Sequence, residues 1–153
     1  MTYMDKAFAE YLVSPASANR EPLVVVIEDG AHLSHAFQSI CDCLDVEVVQ
    51  MASWDDLGTV LKDRRPMAVV AELDAEGQDG CHVLMTVASH DRSLPILLIT
   101  GDDPAFLGAV DAVEEIWDLT SVTRWSQLLG VGEVVDFLFR AGLAGRCMRL
   151  MPV

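Results

Sequence analysis

The run Leu23-Val24-Val25-Val26-Ile27 constrains this chain more than any other feature. It is aliphatic throughout and does not alternate apolar with polar residues. A half-exposed strand alternates, whereas an unbroken apolar run suits a strand covered on both faces, as in a parallel sheet between helices. Two further runs repeat the pattern: Met67 to Leu73, and Pro95-Ile96-Leu97-Leu98-Ile99-Thr100. Between them the apolar period becomes helical, with Leu33, Ala36, Phe37, Ile40 and Leu44 on one face.

The rest of the chain follows the same rhythm. Val46-Glu47-Val48-Val49 predicts a second strand. Trp54, Leu57, Val60 and Leu61 predict a helix stopped before Pro66. Gly77 and Gly80 mark a loop, and Val83, Leu84 and Val87 the helix after it. Phe106, Leu107, Val110, Val113 and Ile116 give a fourth helix. A short fifth strand is expected within Trp117 to Thr123, and Leu128, Val131, Val135 and Leu138 mark a last helix ended by Gly142. The pattern predicts an α/β fold, a doubly wound (βα)5 unit with a five-stranded parallel sheet and helices on both faces. Residues 21–142 form this domain. Residues 1–20 read as a helical extension, with Phe8, Tyr11 and Leu12 on one face, and a linker; 143–153 read as a tail or linker.

A chain of 153 residues with 52% hydrophobic content needs no disulfide or metal to fold. Cys41, Cys43, Cys81 and Cys147 form no CxxC pair and complete no zinc pattern with the histidines, so free thiols in a reducing compartment are expected. No apolar run approaches the ~20 residues of a membrane span, and no basic head precedes an apolar core at the N-terminus, which points to a cytoplasmic location. The net charge of −14 argues against nucleic acid and against anionic membrane surfaces.

Ligands of doubly wound sheets sit at the carboxyl ends of the strands. Here those ends carry Glu28-Asp29, Glu72 with Asp74 beyond it, and Thr100-Gly101. A nucleotide-binding turn would need glycines where Glu28 and Asp29 stand, and no Ser/His/Asp arrangement is present, so no enzyme is expected. His32, His35, His82 and His90 read as structural or surface residues.

These strand ends resemble the receiver domain of two-component response regulators over about residues 22–141. Glu28-Asp29 matches the family's acidic pair, Thr100 its switch hydroxyl, and the loop from Glu72 to Gly80 its Asp-Gly spacing. Counting back from Gly80, the phosphoacceptor aspartate falls on Glu72. The family's strand-5 lysine is absent; no lysine follows Lys62, and Arg124-Trp125 is the nearest candidate, with Arg124 as the lysine's counterpart. The resemblance implies a Mg²⁺ site formed by Glu28, Asp29 and Glu72, weak and not required. It implies a histidine kinase or an output protein or domain as partner.

The departures weigh against ordinary phosphorylation. Glu in place of Asp adds a methylene, and a misplacement of ~1 Å can cost on the order of 10²-fold in phosphoryl transfer. Loss of the lysine removes a cation that would stabilise the transferring group. Glu72 reads either as a partial imitation of a phosphorylated aspartate or as a drifted remnant. The expectation is a receiver-like signalling module acting by protein–protein contact. A residual phosphoacceptor and a flavodoxin-like small-molecule-binding domain are the alternatives. Trp117, Trp125 and Phe139, with the nearly all-round apolar last helix, point to a homodimer or partner interface.

Overall fold

Strands β1 (Glu21–Ile27) and β3 (Pro66–Glu72) lie side by side in the interior of a five-stranded parallel sheet. The computed structural model describes residues 19–28, 32–72 and 79–147. β2 (Glu47–Met51) flanks β1, while β4 (Ile96–Ile99) and β5 (Val122–Trp125) continue beyond β3, giving the order β2-β1-β3-β4-β5. The connections are α1 (His32–Leu44), α2 (Leu57–Arg64), α3 (Asp79–His90) and α4 (Pro104–Trp117), and α5 (Val131–Ala144) follows β5. The doubly wound architecture is the one the apolar runs predict.

Alternation along each strand divides the core in two. Val25, Val69, Ala71, Ile96 and Leu98 pack with Leu57 and Leu61 of α2, Val83 and Leu84 of α3, and Phe106 and Val110 of α4. Val24, Val26, Ala68, Val70, Leu97 and Ile99 pack with Leu33 and Phe37 of α1 and Val134, Phe137 and Leu138 of α5. Val24, Val25 and Val26 are all fully buried, so β1 contributes to both halves. That explains the lack of alternation in its sequence.

Several boundaries differ from the sequence reading. The fifth strand is Val122–Trp125, not a segment within 117–123. The apolar repeat of α4 runs on to Trp117, and Asp118 closes the helix in the left-handed region at φ 55°. The last helix passes through Gly142, which is buried, and ends at Ala144. Residue 20 is not linker: Arg20 is buried and anchors the amino-terminal edge of the sheet. Of the segment read as a tail or linker, Leu143 and Ala144 complete α5, and the Cys147 thiol lies 3.6 Å from the Met67 sulfur. The extension bearing Phe8, Tyr11 and Leu12, and residues 148–153, lie outside the described residues.

Arg20 ties three parts of the chain together. Its amide donates to the Gly145 carbonyl at 2.9 Å. Its guanidinium donates to Asp91 Oδ2 at 2.7 Å and to Ser93 Oγ at 3.2 Å. The Ser93 amide and hydroxyl both donate to Asp91 Oδ1, at 3.0 and 2.7 Å. Burial pushes the Asp91 carboxyl up, but the hydrogen bonds from Arg20 and Ser93 outweigh it and hold it below the usual carboxylate range. A carboxyl held low in the fold adds stability above its unfolded value of about 3.9, and that contribution fades as pH falls through the folded value. Removing one partner leaves a buried charge uncompensated, at a cost of about 3–5 kcal/mol.

Asp91→Asn is therefore expected to lower the melting temperature at pH 7 by on the order of 10 °C. It should also flatten the acid limb of the stability curve, and thermal unfolding from pH 7 down to 3 measures both. Thiol labelling gives a second check. Burial, helped by Asp42, pushes the Cys41 thiol up to about 12, while Cys43 is exposed. A thiol reagent at pH 8 should modify Cys43 in the native protein and leave Cys41 intact until unfolding.

Candidate functional site at the strand ends

Glu28 follows β1 directly and is 3% exposed. Its oxygens accept hydrogen bonds from the first turn of α1: Oε1 from the Leu33 amide at 2.8 Å and Oε2 from the Ser34 amide at 2.5 Å. A carboxylate in this position satisfies two of the amides that every helix leaves open at its N-terminus and lies at the positive end of the helix dipole. The Glu28 amide in turn donates to the Met51 carbonyl at 3.1 Å. Glu28 thus joins β1, β2 and α1.

Thr100 ends β4 and is 4% exposed. Its amide donates to the Trp125 carbonyl at 2.9 Å, and its hydroxyl to the Gly101 carbonyl at 3.2 Å. Gly101 has φ +69°, a conformation that suits glycine, and its amide donates to the Ser126 carbonyl at 3.1 Å. Asp103 caps α4 by accepting from the Ala105 amide at 3.0 Å, with Pro104 at the first helical position.

Glu72 ends β3 and is exposed. A cleft of about 490 Å³ opens beside it, lined by His32, Glu72, Ile99 to Asp103, and Ser126 to Leu128. Glu72, Asp102 and Asp103 make the lining acidic. Among the described residues His32 is its one titratable base, and no Lys or Arg lines it. The structure thus brings Glu72 and Thr100 to one cleft. Glu28 belongs to the same strand-end edge, with both oxygens engaged by α1. Asp29 and Asp74 lie outside the described residues.

Arg124 does not join them. It pairs in register with Leu98, on the α4 side of the sheet. Its Nε donates to Glu114 Oε2 at 2.8 Å, and Nη2 bonds Asp111. Burial works against its charge, but the two carboxylates outweigh that and raise its affinity for its proton. The expected lysine counterpart is thus committed to α4 on the opposite face. Trp125, one residue on, pairs with Ile99 and packs against the α1–α5 half of the core. Trp117 and Phe139 are half-buried on α4 and α5.

Glu28 turns both oxygens to α1, and no three His, Cys, Asp or Glu side chains among the described residues gather as ligands. Asp29, which the resemblance places with Glu28 and Glu72 in a Mg²⁺ site, lies outside them. Sequence reasoning missed two features. The Asp103-Pro104 pair is a legible cap signal. The Trp54–His82 stack, with centroids 4.5 Å apart and planes at 7°, joins residues remote in sequence and leaves no local trace.

Glu28→Ala should strand the Leu33 and Ser34 amides, each costing about 1–3 kcal/mol, and lower the melting temperature by on the order of 10 °C. Glu28→Gln, which keeps an acceptor, should lose less. Calorimetry of the two variants separates the cap from a metal-ligand role, because a ligand role would make the parent's melting temperature rise with Mg²⁺.

No family model matches the chain. It is 31% identical over 78 residues to the C4-dicarboxylate transport transcriptional regulatory protein DctD of Pseudomonas aeruginosa, a match covering 51% of this chain and 17% of that protein. Among solved structures it is similar to a response regulator receiver protein from Pseudomonas putida, with TM-score 0.59 and 18% identity over 78% of this chain and 97% of the other. It is also similar to the chemotaxis protein CheY4 of Vibrio cholerae, with TM-score 0.62 and 14% identity over 79% and 98% of the two chains. The strand order, the helix placement and these likenesses agree: the chain has the receiver fold of two-component response regulators.

Proposed function

We propose that this chain is a receiver-like signalling module that works by protein–protein contact and takes up no phosphoryl group. The observation that carries the reading is the acidic cleft, which presents Glu72, Asp102 and Asp103 to solvent and, among the described residues, no Lys or Arg. An incoming phosphoryl group would meet like charge, with no fixed cation to offset it. Glu28 supports the reading through its hydrogen bonds to the start of α1, which give it a structural task; in this reading Mg²⁺ is not required and the module signals without catalysing a reaction. Its partners are a histidine kinase or an output protein or domain. The net charge of −14 speaks against nucleic acid, and no helix among the described residues is long and apolar enough to cross a membrane.

A second copy of the chain is the other partner the surface suggests. Ile116 near the end of α4 is 77% exposed and Val131 at the start of α5 65% exposed, and Trp117 and Phe139 lie half-buried on the same two helices. Trp125 belongs to this interface less than its sequence position implies, since much of it is taken by the core.

Incubation with acetyl phosphate and Mg²⁺ followed by intact mass is expected to show no adduct. A gain of one phosphate that disappears in Glu72→Gln would overturn the reading. Sedimentation at about 100 µM should show a dimer that tightens between low salt and 0.5 M salt, because screening relieves the repulsion between two −14 chains. A strict monomer throughout would remove the homodimer from the proposal.

A further inference from the structure

We propose that the Trp54–His82 stack is the centre of a second contact surface, on α2 and α3, and that its occupant is an arginine side chain presented by a polypeptide partner. None of its residues lines the strand-end cleft, so it stands whether or not Glu72 takes up a phosphoryl group.

The stack supplies a platform. The two rings lie within 7° of parallel, with centroids 4.5 Å apart. Trp54 is half-buried and packs on the core half that α2, α3 and α4 cover, whereas His82 is exposed. An exposed ring backed by an anchored indole presents a flat surface held by the core. Met85 stands one turn on from His82 along α3 and is exposed too. A Cβ on Gly58 of α2 would lie 3.8 Å from Thr86 Cγ2 of α3, so the two helices adjoin at this place. Aromatic and methionine side chains are enriched where proteins meet.

Charge then names the occupant. The Leu57 amide donates to the Trp54 carbonyl at 3.0 Å, closing a tight turn whose corners are Asp55 and Asp56, both exposed. The Ser53 hydroxyl donates to Asp55 Oδ2 at 3.1 Å. Asp56 holds the N-cap position of α2, yet its carboxylate caps nothing, unlike that of Asp103 on α4. The basic residues of α2, Lys62 and Arg64, stand in its last turn, away from these acids. An aromatic platform edged by two carboxylates suits a guanidinium. It stacks flat on a ring and offers its fork to a carboxylate at the same time, which the compact ammonium of lysine does not do. An acidic segment would meet like charge.

The test uses a displayed library of random peptides of about 12 residues. It is sorted on the full chain and counter-sorted on His82→Ala/Asp55→Asn/Asp56→Asn, and the best peptide is then titrated by fluorescence anisotropy. The selected peptides are expected to share an arginine beside an aliphatic residue. Changing that arginine to lysine should weaken binding about fivefold. His82→Ala alone and Asp55→Asn/Asp56→Asn alone should each do the same, while His82→Phe, which keeps a ring face, should stay within about twofold of the parent. All three positions are exposed, and the single variants carry the test if the triple one is unstable. A library that yields no peptide specific for the parent, or peptides without arginine, would overturn the proposal. So would binding lost in Glu72→Gln and kept in His82→Ala, which would put the arginine in the strand-end cleft instead.

Discussion

Everything chemical in this molecule follows from strands covered on both faces. With Val24, Val25 and Val26 fully buried, and Met67 to Ala71 likewise, the interior of the sheet has no place for a polar side chain. Polar groups are pushed to the strand ends, where helices begin with unsatisfied amides and loops turn sharply. Several are then conscripted by the backbone: Glu28 by α1, Asp103 by α4, and the Thr100 hydroxyl by its own loop. What stays available at the cleft is Glu72, Asp102 and His32. The cleft's acidity is in part a by-product of building its walls.

The cations show the same economy. Arg20, Arg64, Arg92, Arg124 and Arg140 each face a carboxylate, and two of these pairs, at Arg20 and Arg124, link separate elements with partial or full burial. A chain with 10 basic and 24 acidic side chains has few cations to place, and these five brace the periphery. Exposed pairs such as Arg140 with Asp136 contribute at most about 1 kcal/mol, so the bracing lies chiefly in Arg20 with Asp91.

The sequence makes β1, β3 and β4 legible because short unbroken apolar runs, bounded by turns, suit little else than strands buried on both faces. β5 is harder to place because it carries Arg124 on one face and Trp125 on the other and spans only four residues. Its register matters, since a shift of one residue exchanges which side chain lies on the α1–α5 face of the sheet. Proximity in sequence could nominate Arg124-Trp125; only register could choose between them. Glu28 is visible as a carboxylate after a strand, but its role depends on the direction from which α1 starts, which no residue type encodes. Glycine misleads at Gly142, which reads as a stop, because a buried glycine inside a packed helix looks the same in sequence as a terminal one.

The hydrogen bond from the Arg20 amide to the Gly145 carbonyl brings the entry of β1 and the exit of α5 to one point. A folded unit whose two ends meet is an insertable cassette: a host chain can be opened at a surface turn and closed again around it with almost no gap to bridge. The same closure permits circular permutation, with a short link across residues 20 and 145 and new ends cut in an exposed loop. It also sets a mechanical direction. Tension applied through both flanks would pull on this one bond and on Arg20 with Asp91 before it reached the sheet, so the domain would open first at the edge opposite its cleft.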